Sequence, residues 1–426
     1  MFYHSKLARI VLTAFGSYGD LHPYLAVAIG LRDAGHTVTL ATSEFYRNKV
    51  EGEGINFSPI SPDVAMFELM PEARRKAMDL RRGTEYVIRE LFVPYVEQCY
   101  EELLALCANA DLIVAHTLAF SVPFVAEKRN IPWLAAVLQP ASIASTTDPP
   151  IFPGFPELGH ALRPLAPYPH RMILPFGRWL TNRWIEPVLA LRKRLGIRNA
   201  PDYPLIEPFS PHGNLVWFSR VLAAPQPDWP AKTVQAGFPF YDKDTPEAVE
   251  LEPALEEFLS AGEPPVVFTL GTSAAMIPGT FFRETLDALK ELNVRAVLVS
   301  PEAETLPSNE RILCLRYAPY SKLFSRALVN VHQGGIGTTA QALRSGRRML
   351  VVPYSHDQPD NAARAERLGV ARVIRRSCYR KNAIVKTLRE LIDDAPSCAR
   401  AEDVGAAIRQ EDAVAASCEF IEATLR

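Results

Sequence analysis

Apolar residues in this chain come in short runs separated by stretches with helical spacing, and that rhythm sets the expected architecture. LARIVLTAF (7–15) is an apolar run that ends in a Gly-rich turn. LHPYLAVAIGLRDAG (21–35) carries its apolar residues at helical spacing and closes on Gly35, and HTVTLAT (36–42) reads as a strand again. A strand–turn–helix–strand unit of this kind builds a parallel sheet, because strands covered on both faces lose the alternation of half-exposed ones. A helical segment at 84–109 follows, then a strand at 111–116, a helix at 120–130 and a strand at 132–138. NLVWFS (214–219) is expected to be the last strand of this half. Between 140 and 212 the chain is Pro-rich and holds one amphipathic segment, RMILPFGRWLTNRWIEPVLALRKRLG.

After GFPFYDKDTPE (237–247) the alternation starts afresh, with strands expected at 264–271, 294–300, 311–315, 327–332, 348–353 and 371–374. Helical segments separate most of them, and the tail from 397 is helical in pattern. Two α/β halves, each a doubly wound Rossmann-like domain, account for this order. The expected division is 1–240 and 241–405, with 406–426 as a C-terminal helix packing back on the N-terminal domain.

Composition narrows the class. The 426 residues suit two domains, and a formal net charge of −2 argues against a dedicated nucleic-acid binder, which carries a basic excess. No apolar run approaches the roughly 18 residues that span a bilayer, and Met1 to Phe15 reads as a first buried strand, not a signal peptide. Six cysteines at 99, 107, 314, 378, 398 and 418 show neither C-x-x-C nor zinc spacing, which fits reduced thiols in a cytoplasm. The 36 prolines cluster between 140 and 265, where irregular loops are expected.

Ligands of open α/β sheets bind in the turns at the carboxyl ends of the strands. HQGGIGTTAQAL (332–343) places three glycines, two threonines and a histidine in such a turn. Glycine leaves backbone N–H groups unshielded, the following helix aims its positive end outward, and Thr338, Thr339 and His332 add side-chain donors. That is a diphosphate cradle. It lacks the Lys of a P-loop and the spacing of a dinucleotide fingerprint. A tight turn needing glycine for shape alone is the competing reading. In LGTS (270–273), Gly271, Thr272 and Ser273 could face the phosphates from the other side, or simply cap a helix. Asp357 and Gln358 offer a carboxylate and an amide suited to adjacent sugar hydroxyls, with Asp357 as a helix N-cap the compatible alternative. Tyr317 could stack on a base, or anchor a loop.

Together, HQGGIGTTAQAL and VVPYSHDQPDNAARAERLGVA resemble the C-terminal signature of the family 1 glycosyltransferases, which have the two-domain GT-B fold. FGSYGDLHPYLAVAIGLRDAGHTVTLAT resembles their N-terminal opening, and bacterial rhamnosyltransferases and sterol or macrolide glucosyltransferases are nearest in character. The resemblance covers most of the sequence outside 60–110 and 140–212. It implies two Rossmann-like domains facing a central cleft. It implies a donor site of His332, Gly334, Gly335, Ile336, Gly337 and Thr338, with Gly271, Thr272 and Ser273 opposite. Tyr317 stands where the family often has a base-stacking Trp, Ala318 where backbone groups meet uracil or thymine, and Asp357 and Gln358 match the sugar-reading pair. Ala340 replaces an acidic residue that binds ribose in plant members, which leans toward dTDP over UDP.

The resemblance also implies an inverting transfer of a hexose, for example from UDP-glucose or dTDP-rhamnose, to an acceptor hydroxyl activated by a general base. Many members have a histidine at the position of Asp20 and an aspartate at that of His116, so the pair is reversed here. Asp20 is the expected base, with His116 or His22 tuning it or relaying the proton; the alternatives are a helix cap for Asp20 and structural roles for both histidines. Leaving-group charge falls to the 332–339 turn, with no metal and no cofactor beyond the nucleotide sugar. The one D-x-D triplet, DKD (242–244), reads as a solvated turn.

The expected acceptor is a small apolar molecule: a phenol, polyketide, sterol or hydroxy-lipid. The basic amphipathic stretch 170–195 is read first as a helix packed on its own domain, with peripheral membrane contact left open. Two rival functions share the plan: a GT-B epimerase, and a nucleotide-sugar-binding protein without transferase activity.

Overall fold

In the computed structural model of the chain, which describes residues 7–63, 70–242 and 251–426, two compact units form. The first comprises Met1–Ala77, Arg81–Tyr241 and Glu411–Arg426; the second comprises Met78–Leu80 and Asp242–Gln410.

The first unit is built on a seven-stranded parallel sheet of β1 (Arg9–Thr13), β2 (Thr37–Thr42), β3 (Asn56–Pro59), β4 (Leu112–His116), β5 (Trp133–Val137), β6 (Asn214–Val216) and β7 (Thr233–Gln235), in the order β3-β2-β1-β4-β5-β6-β7. β1 and β4 pair through Ile10–Leu112, Val11–Ile113 and Leu12–Val114. Alternate residues of these strands feed two cores. Val11 and Ile113 join Phe92, Leu103 and Phe124 on one face, and Ile10, Leu12 and Val114 join Tyr24, Leu25 and Trp217 on the other. The apolar runs are continuous because both faces are covered.

Helix α1 (Tyr18–Asp33) covers one face. The C-terminal helix Ala413–Thr424 packs beside it, placing Ala413 and Ile421 in the same core and Ser417 under the Trp217 indole N–H at 2.9 Å. The preceding helix runs Ala395–Arg409, across the boundary expected at 405/406, and the units divide after Gln410.

One expectation for this unit is overturned and two are refined. NLVWFS is not the last strand: β7 adds a three-residue edge whose residues are all half-buried, too short and polar to announce itself. The segment 84–109 is helical throughout, as expected, but passes through α, π and 3₁₀ turns before Val96–Leu106, because Pro94 cannot donate the backbone bond that would continue an α-helix through it. The amphipathic stretch 170–195 divides: helix Glu186–Leu195 packs on its domain as expected, with Ile185, Val188 and Leu191 in the core, whereas helix Tyr168–Trp184 has no buried residue.

The second unit has a six-stranded parallel sheet of β8 (Val266–Thr269), β9 (Ala296–Val299), β10 (Ile312–Leu315), β11 (Val329–His332), β12 (Arg348–Val351) and β13 (Ala371–Val373), in the order β10-β9-β8-β11-β12-β13. All six coincide with expected apolar runs. Val266, Phe268, Val329, Val331 and Leu350 form its core with Phe281, Leu388 and Leu391 from the covering helices. In both sheets the strand order reverses once, between β1 and β4 and between β8 and β11. At such a switch point the connections leave in opposite directions and open a crevice at the carboxyl ends of the strands.

Candidate functional site

Several of the expected site residues lie at these two switch points. In the first unit, Asp20 follows β1 and His116 ends β4. Asp20 is the third residue of α1, and its Oδ2 accepts the backbone N–H of Ser17 at 2.9 Å, the acidic half of a capping box. The helix-cap reading is therefore realised, and it holds the carboxylate in place while leaving Oδ1 uncommitted to the cap. Oδ1 lies 3.9 Å from Nε2 of His116. Gly16 has φ +116, and a Cβ there would sit 2.3 Å from Oδ2 of Asp20. A side chain at 16 would displace the carboxylate, which explains the glycine opening the turn.

The tautomer of His116 is dictated by its other nitrogen. Nδ1 accepts the backbone N–H of Leu118 at 3.1 Å, so in the neutral ring the proton sits on Nε2, the atom facing Asp20. The ring is held between Phe15 and Tyr24, at 6.2 and 5.9 Å between centroids, and its own backbone N–H donates to Oγ1 of Thr13 at 3.1 Å. Burial, and then the charge of Asp20, push the Tyr24 hydroxyl well above its usual value, so it stays protonated. His116 is 6% exposed and Asp20 28%, so the carboxylate is the member of the pair open to an incoming molecule.

His22 does not join them. Two residues along a helix lie on opposite sides, and its ring packs between Tyr18 and Tyr241, at 5.4 and 5.1 Å. Lys49 lies over both of those tyrosines. The ring thus sits in an aromatic cluster with a lysine beside it.

In the second unit, the turns after β8 and β11 meet. Gly271 has φ +62, and a Cβ there would stand 2.3 Å from Nε2 of Gln333 and 3.2 Å from Oγ1 of Thr338. Thr272 is exposed and Ser273 half-buried on the same turn. His332 ends β11 fully buried, with Nδ1 accepting the N–H of Gly334 at 3.1 Å. Its proton therefore sits on Nε2, which has no partner among the described residues. Burial pushes the ring down to about 3, so it is a neutral donor at any working pH. An orphaned buried donor calls for an explanation, and a bound anion supplies one.

Gly335 caps helix Ile336–Arg344, whose first-turn N–H groups at Gly337 and Thr338 have no carbonyl within the helix to bond. The N–H of Ile336 is taken: it donates to Oδ2 of Asp357 at 3.1 Å. Asp357 stands at the N-cap of helix Gln358–Arg367, but its side chain makes no cap bond to that helix's backbone; it caps the neighbouring helix. Asn361 locks the arrangement, donating to Oδ2 of Asp357 at 2.6 Å and to the Gly334 carbonyl at 2.9 Å. Gln358 is buried, and its Oε1 accepts the N–H groups of Tyr354 and Ser355 at 2.8 and 3.2 Å. Its amide N–H₂ is the half that can read a sugar oxygen.

Tyr317 and Ala318 lie after β10, the edge strand. Ala318 is buried and the Tyr317 ring is exposed. The next helix ties this loop to the β8 turn, with the Tyr320 hydroxyl 2.6 Å from Oγ1 of Thr269, which also accepts the N–H of Gly271 at 3.2 Å. Sequence alone does not single out Thr269 or Gln333, because nothing in a short apolar strand or a Gly-rich turn marks a bracing role. Asp242 of the D-x-D triplet pairs with Arg344 at 2.6 and 2.9 Å; Lys243 and Asp244 lie outside the described residues. Among the described residues no group of three or more His, Cys, Asp and Glu side chains could hold a metal ion. No helix described is long and apolar enough to cross a membrane.

Two family models match the chain, one described as a glycosyltransferase family 28 N-terminal domain over residues 10–146, the other as an erythromycin biosynthesis protein CIII-like C-terminal domain over 283–419. The chain is 31% identical to the O-mycaminosyltylonolide 6-deoxyallosyltransferase of Streptomyces fradiae, over 97% of each protein. It is 27% identical to a sterol 3-beta-glucosyltransferase of Aspergillus clavatus, over 97% of this chain but 29% of that longer protein. The solved structure of the glycosyltransferase VinC in complex with dTDP matches with a TM-score of 0.68 at 19% identity, covering 98% of this chain and 99% of that one. With two parallel-sheet units of Rossmann type, each carrying its polar residues at a switch point, the chain belongs to the family 1 glycosyltransferases of the GT-B fold.

Proposed function

We propose that the chain is an inverting, metal-independent glycosyltransferase that moves a hexose from a dTDP- or UDP-sugar, dTDP preferred, to a hydroxyl of a small apolar acceptor. The observation that carries the reading is the approach of Oδ1 of Asp20 to Nε2 of His116, 3.9 Å apart, at the switch point of the first sheet. A nucleotide-sugar-binding protein has no need of it.

In the reaction, Oδ1 of Asp20 takes the acceptor's hydroxyl proton as the oxygen bonds to the anomeric carbon from the face opposite the diphosphate. The bond from that carbon to the phosphate oxygen breaks, and its electron pair leaves on the nucleoside diphosphate. His116 does not exchange the proton; its Nδ1 is occupied, and its Nε2–H orients the carboxylate. The developing charge on the diphosphate meets the Nε2–H of His332 and the first-turn N–H groups of Gly337 and Thr338, fixed donors that need no metal. Asp357, already bound to Ile336, and the amide of Gln358 read the sugar hydroxyls.

The preference for dTDP rests on the small, buried Ala340 in place of a ribose-binding acid, and on relatives that act with a 6-deoxyallosyl group or hold dTDP. The free cysteines suit a reducing, cytoplasmic setting. The test is a turnover assay pairing dTDP-rhamnose or UDP-glucose with phenolic, polyketide and sterol acceptors, with and without EDTA. Product with inverted anomeric configuration and unchanged rates in EDTA support the reading. Retention of configuration, or loss of activity in EDTA that added metal restores, overturns it.

A further inference from the structure

Helix Tyr168–Trp184, in the first unit, is turned inside out. Tyr168, Met172, Ile173, Phe176, Trp179 and Leu180 fall at helical spacing on one stripe, and every one of them is exposed, Met172 by 82%. The half-buried positions lie on the other side, at Leu174, Gly177, Arg178 and Thr181. This helix meets its domain through these positions and through Trp184 at its C-terminal end, while the Met172–Phe176–Trp179 stripe stays in solvent and leaves an apolar surface uncovered. The short helix Pro156–Leu162 before it is likewise without a buried residue and exposes Leu158.

The charges around the stripe select what covers it. From Leu158 to Ile185 the chain has Arg163, Arg171, Arg178 and Arg183 and no Asp or Glu. Arg163 pairs with Asp148 and Arg178 with Glu207, both outside the segment. Among the described residues, no carboxylate pairs with Arg171 or Arg183. Arg183 lies over the Trp179 ring at 5.1 Å, and Trp179 stacks on Phe176 at 5.6 Å. An aromatic, aliphatic stripe edged by unpaired arginines is what an anionic interface takes: rings and methyls enter the acyl boundary while guanidinium groups stay among the headgroup phosphates. A second copy docked by the same face would set these arginines against their own equivalents.

We infer that this helix docks the protein onto an anionic phospholipid surface, lying in the plane of the interface with the Met172–Phe176–Trp179 stripe inserted. The inference is independent of the donor chemistry, since it uses none of those residues.

The test is co-sedimentation of the whole protein with vesicles of phosphatidylcholine alone or mixed with phosphatidylglycerol. The expected result is binding to the mixed vesicles, weakening as salt rises, with little binding to phosphatidylcholine alone. Arg171→Ala with Arg183→Ala lowers partitioning about 30-fold, from about fivefold per cation near such a surface. Phe176→Glu with Trp179→Glu abolishes it, with circular dichroism checking the fold; should that pair fail to fold, the arginine pair carries the test. Absence of binding to the mixed vesicles, or equal binding to both kinds, overturns the inference. So does a wild-type dimer in solution that the glutamate pair converts to monomer while vesicle binding is absent.

Discussion

Oδ1 of Asp20 and Nε2 of His116 face one another at 3.9 Å, and the Leu118 N–H bonded to Nδ1 places the neutral ring's proton on Nε2. In the proposed reaction the acid is the base, and the histidine, whose Nε2 lies 3.9 Å away, positions it. Asp20→Asn is expected to lower kcat by about 10²–10⁴, the usual worth of a general base, with dTDP binding unchanged. The amide oxygen of Asn can still accept the Ser17 N–H, so the helix cap survives. Turnover within about threefold of wild type, outside the general-base range, would show that the base lies elsewhere.

His116→Asn is expected to cost less than Asp20→Asn, because the carboxylate remains. Since the two act as one unit, the double variant should be no slower than Asp20→Asn alone, a non-additivity a kinetic cycle reads directly. Additive losses would mean that His116 acts on something other than Asp20.

Gly16→Ala tests how the carboxylate is held. The backbone at φ +116 and the 2.3 Å approach to Oδ2 leave no room for a methyl group. The expected outcome is a loss of about 1–3 kcal/mol of stability from backbone strain, and a fall in kcat exceeding any change in donor affinity. Unchanged kcat with a lowered Tm would make the glycine purely structural.

Much of this is legible in the sequence, and the reasons differ by element. The six strands of the second sheet announce themselves because strands covered on both faces must be apolar throughout. The 332–338 turn does so through its cluster of glycines, of which Gly334, at φ +89, holds a backbone that favours glycine. β3 and β7 do not, being four and three residues long, at the sheet edges and half-exposed. Asp357 looks like a cap for its own helix because spacing reports only local partners, whereas the N–H it meets, on Ile336, arrives by tertiary packing. The periodicity of 168–184 shows that the helix has an apolar side; it carries nothing about whether that side has anything to face.

His332 makes stability pH-dependent in a defined direction. Burial holds the ring at about 3, while in the unfolded chain it titrates near its ordinary 6.5. Below 6.5 the unfolded state binds the extra proton, so the contribution of this site is whole above about 6.5 and is lost progressively as pH falls toward 3. Thermal unfolding at pH 7.5 and pH 5 should therefore show a larger drop in Tm for wild type than for His332→Gln. Equal drops would mean the ring is not buried neutral.

The helix carrying Gln358 is stiffened by a fully buried pair, Arg364 to Asp360 at 2.7 Å. Asp360→Ala breaks this buried pair and is expected to cost about 3–5 kcal/mol, visible in urea unfolding. A cost under about 1 kcal/mol, the range of exposed pairs, would mean that water reaches the site.

The most direct test of the donor site is calorimetric titration of the whole protein with dTDP and UDP, beside the His332→Ala variant. The account predicts saturable dTDP binding, tighter than UDP, insensitive to EDTA and weakened about 10- to 100-fold by loss of the buried ring donor to a charged phosphate. No binding of either nucleotide, or binding untouched by the substitution, would contradict it.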